Sequence, residues 1–222
     1  MIPVFDPPEL HLIPIVGSDA GFPIRRIFCV GRNYSDHVKE MGGDPARAKP
    51  IFFMKPPEAY SPGGTDIAYP KTTHDLHHEV ELVIAIGPGG DIFGSAVGID
   101  LTRRDLQVIA KAASAPWESA KAFERSAPIG PITPSQPPIE GNIRLSVNGE
   151  PRQSANLNTM TRVVPELLQD LSELFELQAG DLVFTGTPAG VSALHPGDHV
   201  KAEIDGLAPL EFSILPSQEA SA

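Results

Sequence analysis

His78-Glu79-Val80-Glu81-Leu82-Val83-Ile84-Ala85-Ile86, closed by Gly87-Pro88-Gly89-Gly90, decides how the chain is read. The run is rich in β-branched residues and stops at a turn signal, so it reads as a strand over residues 78–87. Side chains at i and i+2 of a strand share a face, about 6.5 Å apart. Glu79 and Glu81 therefore point the same way, among residues that belong in a core. Two carboxylates held that close in a partly dry site force a proton onto one of them unless a cation lies between. A hard dication fits, because carboxylate oxygens suit magnesium, calcium or manganese. The plainer alternative is a half-exposed strand in simple alternation, with both glutamates in water.

A third acid stands in the next apolar run, Ala96-Val97-Gly98-Ile99-Asp100. A hairpin through residues 87–90 would lay that run beside the first and bring Asp100 to Glu79 and Glu81. Three carboxylates with positions left for water and substrate form a magnesium-type arrangement. The competing role for Asp100, or for Thr102, is to cap a helix expected over residues 102–113. His77 shares the face of the two glutamates if the strand reaches it, as a ligand, a supporting partner or a surface residue.

Further strands are expected at 26–30, 51–54, 65–69, 94–101, 142–148, 181–185, 198–204 and 208–215. Asn148-Gly149 and Asp205-Gly206 are hairpin turn signals. Helices are fewer, at 33–41, 102–113 and 161–175. In the last, Val164, Leu167, Leu168, Leu171 and Leu174 recur at helical spacing, and Pro165 is tolerable only in the first turn. The pattern predicts a β-rich α+β fold with a few flanking helices. Residues 1–24 read as a proline-rich extended arm, 25–216 as the main domain and 217–222 as a frayed tail.

With 222 residues, the chain has the size of one domain with a substantial core. Its net charge of −11 argues against nucleic acid, whose phosphates are gripped by clustered Lys and Arg. No apolar stretch approaches the ~20 residues that span a bilayer, and the first ten residues lack the pattern of a signal peptide. A cytoplasmic protein with neither membrane nor nucleic acid as partner is expected. The single cysteine, Cys29, reads as a small buried hydrophobe.

Two more constellations bear on chemistry. In Asn33-Tyr34-Ser35-Asp36-His37-Val38-Lys39-Glu40-Met41-Gly42-Gly43, His37 and Glu40 are i and i+3 on a predicted short helix. A carboxylate that orients a histidine makes a dyad able to take a proton from water, and the glycines beyond would let the helix swing as a lid. The alternative is an ordinary surface pair. In Phe184-Thr185-Gly186-Thr187-Pro188-Ala189-Gly190, a strand feeds a glycine-rich loop where Thr187 and backbone N–H groups could hold a small anion, or merely turn. Lys121, among small and apolar residues, either stabilises negative charge near a metal or snorkels at the surface.

In this order, the stretches resemble the fumarylacetoacetate hydrolase family, and within it the acylpyruvase branch that includes fumarylpyruvate hydrolases. The resemblance rests on Val30-Gly31-Arg32-Asn33-Tyr34, Phe53-Met54-Lys55-Pro56, His78-Glu79-Val80-Glu81-Leu82, Asp100-Leu101-Thr102-Arg103-Arg104-Asp105-Leu106-Gln107, Lys121-Ala122-Phe123, Val147-Asn148-Gly149-Glu150 and Phe184-Thr185-Gly186-Thr187-Pro188. It implies a mixed β-sandwich or roll, usually a homodimer, with Mg²⁺ or Mn²⁺ on Glu79, Glu81 and Asp100. It also implies a lid carrying His37 and Glu40, with Lys121 and Gln107 near the reacting oxygens and Arg32, Arg104 and Thr187 at the substrate pocket. The connection over residues 88–95 is shorter than the family's. The implied activity is hydrolysis of a C–C bond in a 2,4-diketo acid, an acylpyruvate such as fumarylpyruvate. Decarboxylation or isomerisation of an oxo acid such as oxaloacetate, or non-catalytic oxo-acid binding, are the alternatives.

Overall fold

The structure is a computed structural model, and it describes residues 2–7, 9–34 and 50–217. Its spine is a mixed seven-stranded sheet. In spatial order the strands are Ile51–Lys55, Arg26–Gly31, Asp181–Phe184, Val80–Ile86, Ile92–Ile99, Ala127–Ile129 and Tyr60–Pro62. Arg26–Gly31 runs parallel to Asp181–Phe184, and the Val80–Ile86 pairings on either side are antiparallel. A second sheet has five strands, in the order Glu150–Asn156, Asn142–Val147, His199–Ile204, Leu210–Leu215 and Ile67–Ala68.

The Val80–Ile86 strand is buried along its whole length. Its even residues Val80, Leu82, Ile84 and Ile86 enter the large core between the two sheets, where they join Ile143, Leu145, Val200, Ala202, Phe212 and Ile214. Its odd residues Val83 and Ala85 enter a second core on the opposite face. There the antiparallel pair Leu12–Pro14 and Gly21–Pro23 contributes Ile13 and Phe22. A strand covered on both faces reads as a continuous apolar run. Any acid on its odd face is therefore buried too, and simple alternation with water on one side does not apply.

The turn through residues 87–90 sets the hairpin register. Glu81 lies opposite Gly98, and Asp100 N–H donates to the Glu79 carbonyl at 2.8 Å. The connection is only residues 87–91, since Ile92 already pairs with Ile86, and it leaves Asp100 directly across from Glu79. Gly98 has a packing reason as well. A Cβ there would stand 2.5 Å from Val83 Cγ2 and 2.8 Å from Phe184 Cε1, both side chains of the second core. Gly98→Ala is expected to lower stability by about 1–3 kcal/mol, from overpacking in a closed core; urea denaturation against the parent protein measures it.

Helices flank the sheets. Helix α1 (Arg104–Ala112) starts two residues later than the sequence suggests, because Thr102–Arg103 pairs with Leu76–His77 as a short strand. Neither Asp100 nor Thr102 caps it, and its N-cap position is Arg103. Helix α2 is the single turn Glu118–Lys121. Helix α3 (Val164–Ser172) carries Pro165 in its first turn and buries Val164, Leu167 and Leu171, whereas Leu174 lies beyond its end and is exposed. The Asn148-Gly149 turn has both residues at positive φ, 54° and 83°, as a two-residue hairpin demands. At Asp205-Gly206 only Gly206 has positive φ, and the connection runs through residues 205–209. The helix expected over 33–41 falls, from residue 35 onward, outside the described residues. Among those described, no helix is long and apolar enough to cross a membrane.

Candidate active site

The three acids converge. One carboxylate oxygen from each of Glu79, Glu81 and Asp100 lies within 4.8 Å of the other two, and all three residues are buried. The hairpin register accounts for it. Glu79 and Glu81 share the odd face of one strand, and Asp100 ends the neighbouring strand opposite Glu79. His77 is not among them. It pairs with Asp75 at 2.7 Å and lies 3.4 Å from Arg104 Nε.

Cations ring the triad. Lys121 Nζ donates to Glu79 Oε2 at 2.8 Å, to Asp100 Oδ2 at 2.6 Å and to Thr102 Oγ1 at 2.6 Å. It is buried, so the surface-lysine alternative does not describe it. Burial alone would lower its pKa, yet Asp100 and Glu79 hold it above the ordinary lysine value. Arg104 Nη2 donates to Glu79 Oε1 at 2.5 Å, and its Nη1 donates to Gln107 Oε1 at 2.6 Å. Gln107 is itself buried.

Lys55 was quoted in the sequence only as part of a motif, and its place here was not foreseen. Its ammonium is fully buried, 2.8 Å from Asp100 Oδ1, and donates to Ser126 Oγ at 3.0 Å, to the Leu101 carbonyl at 3.2 Å and to the Lys121 carbonyl. The available signal was a lysine closing the apolar strand Ile51-Phe52-Phe53-Met54-Lys55. A lysine in that place needs a buried acid or carbonyls to meet it.

The loop that follows the Asp181–Phe184 strand supplies the remaining wall. Gly186 N–H donates to Glu81 Oε2 at 2.7 Å, so that group serves the triad rather than an incoming anion. Asn33 ties the same loop to residue 162, donating to the Thr185 carbonyl at 2.7 Å and accepting from Arg162 N–H at 2.7 Å. Thr187 is buried and accepts from Gln153 Nε2 at 2.8 Å. His78, adjacent in sequence to Glu79, bonds inward to Gln153 and Ser192, and burial pulls its pKa down to about 4. Arg32 is exposed at positive φ of 68° and makes no hydrogen bond or ion pair among the described residues. Arg25 and Arg26 point away from any substrate role, since both engage Asp181 at the other end of their strand, at 3.2 and 2.6 Å. His37 and Glu40 lie outside the described residues.

Electrostatics shows what the triad can take up. Burial, then Asp100 and Glu79, push the Glu81 carboxyl well above its ordinary range, with Lys121 and the Gly186 N–H opposing. Asp100 Oδ1 is buried and makes no hydrogen bond, and its close neighbour is the Lys55 ammonium at 2.8 Å. A buried carboxyl that resists ionising, with two further acids close enough to share an ion, fits a dication. The triad can bind a metal.

This has a sign that can be measured. A carboxyl whose pKa is raised by folding holds its proton more tightly folded than unfolded, so in metal-free protein the contribution of Glu81 to stability is fully present below the ordinary carboxylate pKa. That stability is lost as pH rises toward the folded value. Metal must displace the Glu81 proton, so its affinity rises with pH over the same window and binding releases protons. Calorimetry of Mg²⁺ or Mn²⁺ binding in two buffers of different ionisation enthalpy should show that release. A metal affinity independent of pH between 5 and 8 would contradict it.

A two-sheet, β-rich fold with a buried acidic triad on one hairpin defines the class, and comparison with known proteins agrees. The family model for the C-terminal region of fumarylacetoacetate (FAA) hydrolase matches residues 26–215, and the chain belongs to this family of enzymes. Among solved structures, it is similar to fumarylpyruvate hydrolase from Pseudomonas aeruginosa in complex with Mn²⁺ and pyruvate. The TM-score is 0.95 and the identity 44%, covering 97% of this chain and 100% of that one. It is also 37% identical to a fumarylpyruvate hydrolase of Ralstonia sp, over 76% of this chain and 94% of the relative. A mitochondrial oxaloacetate tautomerase of Rattus norvegicus is 37% identical, over 86% of this chain and 91% of the relative.

Proposed function

We propose that this enzyme hydrolyses the C3–C4 bond of a 2,4-diketo acid, an acylpyruvate such as fumarylpyruvate, to pyruvate and a carboxylic acid. The observation that carries the reading is the buried triad of Glu79, Glu81 and Asp100 with the Lys121 ammonium seated between two of its members. The similarity to the Mn²⁺ and pyruvate complex supports it. Glu79, Glu81 and Asp100 would hold Mg²⁺ or Mn²⁺, which supplies Lewis-acid polarisation of the 2-oxo acid end of the substrate.

The chain's own residues carry the proton traffic. His37, oriented by Glu40, takes a proton from water as the water oxygen adds to C4. Collapse of that adduct re-forms the C4 carbonyl and breaks the C3–C4 bond, leaving the electron pair on C3 in conjugation with the C2 carbonyl. Lys121 places fixed positive charge beside that developing anion. His37 then returns its proton to C3. Arg104, Gln107, Thr187 and Arg32 are proposed to contact the substrate's oxygens. A homodimer in the cytoplasm is carried as part of the same proposal.

The second reading is tautomerisation of oxaloacetate, and the similarity to the tautomerase favours it. It needs proton transfer at C3 but no water attack. A panel of acylpyruvates with Mg²⁺, read by pyruvate formation, separates the two when run beside ultraviolet assays of oxaloacetate enol–keto exchange and of carbon dioxide release. Pyruvate from an acylpyruvate is the expected result; enol–keto exchange with no hydrolysis would replace it by the second reading. His37→Asn should cut hydrolysis on the order of 100-fold while metal binding stays unchanged. Unaltered hydrolysis in that variant would assign the base elsewhere.

A further inference from the structure

We propose that Gln153 is a positioning residue that engages a lone pair of the Thr187 hydroxyl and keeps its proton free, so that the pocket favours an oxygen acceptor such as a substrate carboxylate at that point. The inference deepens the reading above and rests on it for the place of Thr187 at the pocket.

Gln153 sits buried on the Glu150–Asn156 strand, at the edge of the five-stranded sheet. Its amide spans two backbone groups of fixed polarity. The Val80 N–H can only donate and lies 3.1 Å from Oε1; the Pro188 carbonyl can only accept and lies 2.9 Å from Nε2. A flipped amide would set donor against donor and acceptor against acceptor, so the orientation is fixed by the backbone. Every side chain that touches this amide inherits a direction.

His78 Nδ1, 2.9 Å from Oε1, must be the protonated nitrogen, which leaves Nε2 to accept from Ser192 Oγ at 2.9 Å. Thr187 Oγ1, 2.8 Å from Nε2, must accept. Its own proton has no acceptor among the described residues, although the side chain is 4% exposed. A buried hydroxyl whose lone pair is engaged and whose proton is not will favour an oxygen that arrives without a proton of its own.

The loop cannot drift to relieve this. Upstream of Thr187, Gly186 N–H is bonded to Glu81 Oε2 at 2.7 Å. Downstream, Gly190 at φ of 95° packs so closely on the edge strand that a Cβ would lie 2.1 Å from the Arg152 carbonyl oxygen. Thr187 is held between the acidic triad and the second sheet, with Gln153 as the polar link.

Gln153→Glu keeps the shape and the oxygen facing Val80 but replaces the Nε2 donor by an acceptor. The Pro188 carbonyl, 2.9 Å away, takes any proton on the new oxygen, so Thr187 turns its own proton toward residue 153. Oxalate, used as the 2-oxo acid probe on Mn²⁺-loaded protein, should bind about tenfold more weakly by calorimetry. The KM for an acylpyruvate should rise by a similar factor, with kcat changed far less. Thr187→Val should show the same loss, and the double variant Q153E/T187V should be no worse than either single one. Should Q153E fail to fold, Gln153→Met takes its place in the cycle.

Unchanged oxalate affinity in a folded Gln153 variant, or losses that multiply in the double variant, would overturn the inference and leave Gln153 a packing residue. If the parent protein cleaves no acylpyruvate but the oxalate cycle behaves as expected, the proposed reaction fails and the role of Gln153 stands. If Mn²⁺-loaded parent protein does not bind oxalate, both fall.

Discussion

Glu81→Ala is expected to lose metal-dependent turnover by on the order of 10³-fold, with metal binding lost alongside it. Glu81 is 1% exposed, bonded to the Gly186 N–H, and shares its face with Glu79. Removing it leaves Glu79 and Asp100, each already bridged by Lys121 Nζ. A pair of acids so neutralised has little attraction left for a dication. Burial first, then the neighbouring Asp100 and Glu79 charges, drive the Glu81 carboxyl toward the proton against the pull of Lys121 and the Gly186 N–H. Glu81→Gln is the sharper variant, since it keeps the size and the acceptor oxygen for Gly186 while deleting the charge. Both should show the same collapse of Mn²⁺ affinity by calorimetry. Turnover in either variant close to that of the parent, with no metal bound, would remove the triad from the mechanism.

Lys55→Met should destabilise the fold by about 3–5 kcal/mol, the usual result of breaking a buried ion pair by removing one partner. Lys55 and Asp100 are 0% and 1% exposed, and the ammonium also bonds to Ser126 and to two backbone carbonyls near the start and end of residues 101–121. Loss of Lys55 leaves Asp100 only the Lys121 ammonium, which it shares with Glu79, and unties α2 from the sheet. Urea unfolding of metal-free protein measures the effect. Adding Asp100→Asn should recover part of the loss, because the charge that has lost one of its two buried partners is then gone. A Lys55→Met protein as stable as the parent would show that Lys121 alone compensates Asp100.

The Val80–Ile86 and Ile92–Ile99 strands were legible because their apolar runs end at glycine and proline, and the hairpin between them followed from residues 87–90. Helix α3 was legible from its 3.6-residue spacing. The short strands were not. Leu76–His77, Thr102–Arg103, Tyr60–Pro62 and Ala127–Ile129 have two or three residues each, too few for any period to register, and they exist because a neighbouring strand presents unpaired backbone groups. Lys55 was passed over for a related reason. Its surroundings are assembled from Leu101, Lys121 and Ser126, none of them near it in the chain.

Local chemistry alone determined that Glu79 and Glu81 share one side of a strand, since alternation is a property of any extended backbone. It determined too that a glycine-closed turn follows them. Whether that side meets water or a core was decided only when the Leu12–Pro14 and Gly21–Pro23 pair packed Ile13 and Phe22 into the core on that face. The partner of each charge was decided in the same way. Coulombic attraction and hydrogen bonding act through space over a few ångströms, so the matching of Lys55, Lys121 and Arg104 to three distant acids comes into being only with the folded chain.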